Sequence, residues 1–157
     1  GRLRQVLGDM PGAAPVAVTL ACSGYVGRVA ADLVPAAELA ALLQLDQMPD
    51  YLLLWAIPLL LCGLSLLALS PIMMAVFFGS LFGSLPVLPA DPTLIAFSIS
   101  CGWALSMVFS PFSTPVLLIN RVAGIAPRKL TWGWNLGFSA AAAAALLPVF
   151  AVLTNGN

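Results

Sequence analysis

The sequence predicts an all-α integral membrane fold: about four to five transmembrane helices plus re-entrant or broken half-helices. Three observations point there. The chain of 157 residues is 61% hydrophobic and 8% charged, against roughly 25% charged in an average soluble domain, and its mean hydropathy is +1.04. Its charges are clustered, so that none falls in 51–90, 92–120 or 130–157. Charge-free runs longer than about 18 residues suit helices that cross a ~30 Å hydrocarbon layer, and a single soluble core rarely needs several of them. Finally, one run is broken in its middle by Ser110-Pro111-Phe112-Ser113-Thr114-Pro115, which predicts a divided helix.

The same composition excludes other classes. Six basic and six acidic residues cancel, so no basic field invites nucleic acid. There is no histidine, and Cys22, Cys62 and Cys101 lie far apart without a CxxC pair. They read as small buried hydrophobes, with no disulfide, metal site or organic cofactor implied. The chain starts at Gly1, and "GRLRQVLGDM" lacks the apolar core of a signal peptide. The expectation is a single transmembrane domain over 1–157, the C-terminal fragment of a longer protein.

Taken in order, "APVAVTLACSGYVG" (14–27) is apolar but short for a full span. Pro35 suits a helix start, and Leu39, Leu42, Leu43 and Leu45, with Asp46 and Asp50 alongside, give a one-sided helix. That pattern fits an interfacial or half-inserted helix. The strongest span is 51–69, with Tyr51 and Trp55 as interfacial anchors and a kink at Pro58. Ser70-Pro71 interrupts it, and a second apolar helix follows at 71–88. Its Gly79, Gly83, Ser80 and Ser84 make a small-residue stripe that would admit a close neighbour. After a turn at 89–92 comes a span at 93–109, then the break, then a loop at 121–129. The last span is 131–153, with Trp132 and Trp134 as anchors and a second small-residue face at Gly133, Gly137, Ala141 and Ala145. Arg121, Arg128 and Lys129 place the 121–129 loop in the cytoplasm by the positive-inside rule, and Asn157 outside it.

Pro111 and Pro115 each remove a backbone donor and free a carbonyl one turn earlier. Open backbone at membrane depth survives only against protein or a polar cavity. Ser110, Ser113 and Thr114 add hydroxyls at the same point, giving a patch of neutral oxygens of the kind a small hard cation accepts. The half-helix that follows would direct its N-terminus there, which suits an anion. Such interruptions point to a secondary-transporter site, with Ser70 and Pro71 as a weaker second instance. A plain proline kink, with hydroxyls bonded back to their own helix, is the competing account. Asp32 and Glu38 are the acids that could face a cavity and carry a proton.

From "GYVGRVAADLVPAAELAALLQL" through "AIPLLLCGLSLLALSPIMMAVFFGSLFGSLP" to "WALSMVFSPFSTPVLLINRVAG", the chain resembles the C-terminal half of the ion transporter superfamily. That group includes divalent-anion symporters, citrate and arsenite permeases and tripartite dicarboxylate carriers. The resemblance implies a multi-pass permease of the bacterial inner membrane that moves a small, anionic solute coupled to Na⁺ or H⁺. It also implies a re-entrant tip that binds solute and ion at Ser110, Ser113 and Thr114, with Ser70 beside it. The divalent-anion symporters carry an Asn in that tip, and none lies in 110–115 here. The expected partners are the lipid bilayer, the solute, the N-terminal half of the same protein and a second copy in a homodimer. An enzyme is not expected, because no base accompanies a serine nucleophile and the acids lie at segment ends. A non-transporting membrane subunit or scaffold is the alternative.

Overall fold

Proline sets where three of the helices begin. Pro71 and Pro92 open α3 (Pro71–Gly83) and α4 (Pro92–Phe109), and Pro115 stands in the first turn of α5 (Thr114–Ala123). Its missing N–H would have had no helical partner there. Asp91 caps α4 by accepting from the Thr93 and Leu94 amides at 2.8 and 3.2 Å. The computed structural model describes residues 2–36, 38, 41 and 47–155, with side chains from residue 17 onward. The other helices are α1 (Arg2–Leu33), α2 (Asp50–Ser65) and α6 (Leu136–Asn155), with a π-helical turn at Lys129–Trp134 before α6. No strand occurs among the described residues, so the all-helical class stands.

Several boundaries differ from those the sequence suggested. The apolar stretch at 14–27 is part of one long α1. α2 ends at Ser65 instead of Leu69, because the chain turns on itself there. The Ser65 hydroxyl donates to the Cys62 carbonyl at 2.7 Å, and the Leu66 and Leu67 amides bond only three residues back. Ala68 then takes a left-handed φ of 61°, and Pro71 disfavours a helical Ser70. α3 stops at Gly83, α5 runs three residues into the expected 121–129 loop, and α6 proper starts only at Leu136. Gly124, at φ 67°, closes α5 in the conformation glycine favours. The one-sided helix expected around Leu39, Leu42, Leu43, Leu45 and Asp46 lies outside the described residues, as does Asn157.

α2 is the centre of the bundle. It packs most extensively on α4, then on α6, and more lightly on α3, while α1 lies along α3. Residues 54, 62 and 65 of α2 meet residues 98, 106 and 110 of α4, so these two helices run parallel with an offset of about one constant register. α6 runs the other way. Its Ala143 carbonyl accepts from Trp55 Nε1 at 2.7 Å, and its Phe150 meets Phe97 of α4 edge-on with centroids 5.9 Å apart. Trp55 therefore ties α2 to α6. The core gathers Leu54, Ile57, Leu61, Met74, Phe78, Phe82, Ile95, Ile99 and Phe150.

Among the described residues two glycines let helices touch, and neither belongs to the stripes read from the sequence. A Cβ on Gly102 would lie 2.8 Å from Pro58 Cα and 3.2 Å from Leu61 Cβ. A Cβ on Gly27 would collide with the Met73 carbonyl, where α1 crosses α3. By contrast, a Cβ at Gly79, Gly83 or Gly137 would meet nothing within 4 Å. The face of α6 turned to the bundle carries Ser139, Ala143, Leu146 and Phe150, one notch around from the Gly137, Ala141, Ala145 face. Glycine spacing shows that a helix can be approached closely. Which face is approached depends on where the large side chains find a core.

Among the described residues, two segments are long and apolar enough to cross a membrane, Pro92–Ala123 and Leu136–Asn155. The first includes the break, which divides it into α4 and α5. Asp50–Ser65 and Pro71–Gly83 are apolar but shorter, about 24 and 20 Å as helices.

Candidate functional site

Hydroxyls in this chain meet carbonyls that the backbone has left open. Pro58, inside α2, has no N–H to offer the carbonyl of residue 54 one turn earlier, and the Ser98 hydroxyl of α4 donates to that Leu54 oxygen instead. Pro111 likewise leaves residue 107 without its donor, and the Ser113 hydroxyl bonds the Met107 oxygen at 2.7 Å. The Ser65 carbonyl, at the open end of α2, accepts from the Ser110 hydroxyl at 2.9 Å. Ser106 donates to the Gly102 carbonyl at 2.7 Å and approaches the Cys62 sulfur at 3.8 Å. A buried carbonyl without a donor costs about 1–3 kcal/mol, so Ser98, Ser110 and Ser113 sit where an orphan would otherwise be, while Ser106 bonds back within its own helix.

These contacts form a seam. Ser98, Gly102, Ser106 and Ser110 recur every four residues on one face of α4, and all are buried. The spacing was visible in the sequence as a small-residue stripe, but its serines look like ordinary helix-surface residues until α2 is laid against them. Sequence reasoning missed it for that reason.

At the break the structure brings some of the expected residues together and leaves others apart. Ser110 and Ser113 are buried, at 2% and 1% exposure, and join the end of α2 to the α4–α5 corner. Pro111 is buried with them, while Pro115 is exposed. Thr114 is exposed on the first turn of α5. Ser70 is half-buried at the start of α3, makes no side-chain cap bond, and is followed by the half-buried Pro71. Both interruptions, 65–71 and 110–113, thus meet at one end of the bundle through the Ser110–Ser65 bond.

The hydrogen-bond inventory limits what this corner can bind. Ser110 Oγ donates to Ser65 and accepts from the Phe112 amide at 3.3 Å; Ser113 Oγ donates to Met107. Both hydroxyl hydrogens are committed, and the remaining capacity is lone pairs. Neutral lone pairs suit a cation. An anion would have to use the amides in the first turn of α5 and the exposed Thr114 hydroxyl.

Asp32 lies 3.7 Å from Arg28 in an exposed i, i+4 pair, and both line a crevice of about 420 Å³ between α1 and α3 with Ser80 and Ser84. Glu38 is exposed. No group of three or more His, Cys, Asp or Glu side chains forms a metal site among the described residues, and all three cysteines are free. Arg128 and Lys129 lie over the Trp132 and Trp134 rings, each 5.8 Å from the centroid. No family model, curated protein or solved structure matches the chain.

Proposed function

We propose that this chain is a multi-pass integral membrane domain of a secondary transporter, a permease that moves a small solute with ion coupling. The membrane placement is supported by α6, which is long and apolar yet has only 11% of its most apolar stretch buried by the rest of the chain. Phe138, Val149, Val152 and Leu153 are all exposed on it, and bilayer hydrocarbon is the medium in which such a surface is stable. The Arg128–Trp132 and Lys129–Trp134 stacks suit the interface at its start. A cysteine at residue 125 should then be labelled only from the cytoplasm, and one at residue 155 only from the far side. Labelling of both from one side would overturn this topology.

Transport is carried by one observation: two interrupted helices meet at buried, polar 110–113. That geometry is the kind found where broken helices form ion and solute sites, and it supports the resemblance to ion transporter superfamily permeases. In this reading Ser110 and Ser113 offer lone pairs to a coupling cation. Na⁺ fits those oxygens better than a proton, since no carboxyl group among the described residues lies at the corner. Thr114 and the start of α5 would face the solute, an anion. The test is uptake of candidate anions, with and without Na⁺, into vesicles holding the full-length protein. Thr114→Val should impair solute uptake at any Na⁺ concentration, and Ser113→Ala should raise the Na⁺ concentration needed for half-maximal uptake.

The second reading, a non-transporting subunit or scaffold, is favoured by a specific fact: both buried hydroxyls at the corner already serve backbone carbonyls. Unchanged uptake in both variants at matched expression would select it. The open Gly79–Gly83 face of α3 is then the place to look for a second copy or the N-terminal half.

A further inference from the structure

Six of the seven buried polar side chains in the described part of the chain donate to a carbonyl: Ser65, Ser98, Ser106, Ser110, Ser113 and Thr131. Ser139 is the exception. It is 7% exposed, and its hydroxyl has no hydrogen-bond partner. It lines a half-open pocket of about 190 Å³ where α6 meets α2 and α4. The pocket forms where α6 sets the small Ser139, Ala140 and Ala143, with Leu136 at its start, opposite Leu59 and Cys62 of α2 and Leu105 and Phe109 of α4. An apolar cavity of about 150 Å³ is known to hold benzene, so this one has room for a ring and a short substituent. Water is a poor occupant, because it needs two to four polar partners and the lining supplies one free hydroxyl and one thiol.

We propose that this cavity is a binding site for a compact, uncharged, mainly apolar molecule carrying a single hydrogen-bonding oxygen, which pairs with Ser139. The site is separate from the 110–113 corner and does not depend on transport.

Benzyl alcohol and toluene are the probes, matched in ring size and differing by the hydroxyl. Cys62 lines the cavity and reports occupancy through its rate of alkylation by N-ethylmaleimide, in protein with Cys22 and Cys101 changed to alanine. Benzyl alcohol should slow alkylation at roughly five- to tenfold lower concentration than toluene, the margin one hydrogen bond supplies. Ser139→Ala should erase that margin while leaving toluene unaffected. The variant loses a buried unsatisfied group, so it should fold. A protein keeping only Cys101 should show no slowing by either probe, which separates occupancy from detergent effects. Should Cys62 react too slowly to time, magnetisation transfer from methyl-labelled alanines to the probe gives the same comparison. Equal potency of the two probes, an unchanged margin in Ser139→Ala, or equal slowing at Cys101 would each overturn the site.

Discussion

Gly102→Leu is expected to cost at least about 3 kcal/mol, enough to unfold much of a marginal domain. The atom in its way is Pro58 Cα, 2.8 Å from where a Cβ would sit, and backbone cannot rotate aside as a side chain can. Separating α2 from α4 would also stretch the Ser98–Leu54 and Ser110–Ser65 bonds on either side. Even Gly102→Ala should destabilise, although alanine gains about 1 kcal/mol over glycine in helix propensity. Gly79→Ala is the contrast: its Cβ meets nothing within 4 Å, so the propensity gain should appear undiminished. Thermal unfolding in detergent micelles, followed by circular dichroism, measures both. Equal losses at positions 79 and 102 would mean the seam is not the close contact described, or that a second molecule covers Gly79.

The second large effect is a coupling. Ser98→Ala should cost about 1.7 kcal/mol, the upper end for a hydrogen bond between membrane helices, because Leu54 is left with no donor of its own. Pro58→Ala restores an N–H one turn after Leu54. In that background Ser98→Ala should cost almost nothing. The double-mutant cycle should therefore show an interaction energy of at least 1 kcal/mol by the same estimate, well above the scatter of independent sites. A purely additive result would show that Ser98 stabilises through packing and not through the carbonyl that proline leaves open.

Much of the helical layout was legible in the sequence. Pro71, and Pro92 behind Asp91, mark helix starts through geometry confined to the first turn, and Pro111 marks the break for the same local reason. The early end of α2 was not legible, because 51–69 is almost uniformly apolar and the end of the helix is held by a Ser110–Ser65 bond that only the folded chain brings together. The role of the serines was half legible. Their coincidence with proline pointed to freed carbonyls. Whether the hydroxyls would face a ligand or the backbone depended on a helix 44 residues away in sequence. The Gly79–Gly83 stripe is approached closely by no described residue of this chain, since a small side chain permits contact without compelling it. Ser139 gave no signal at all: one serine at the head of an alanine run reveals its isolation only when the surrounding cavity is built.

The serine-lined seam between α2 and α4 has a consequence for permeation. Ser98, Ser106 and Ser110 aim their hydrogens at fixed carbonyls, and Gly102 closes the remaining space, so the seam is closely packed and its hydroxyls are already paired. A polar solute or hydrated ion threading between these helices would have to break those pairs in sequence with nothing to replace them. The α2–α4 pair is thus a wall. If the chain transports as proposed, the path of the solute runs along an outer flank, over the corner at 110–113 or the crevice beside Gly79 and Gly83.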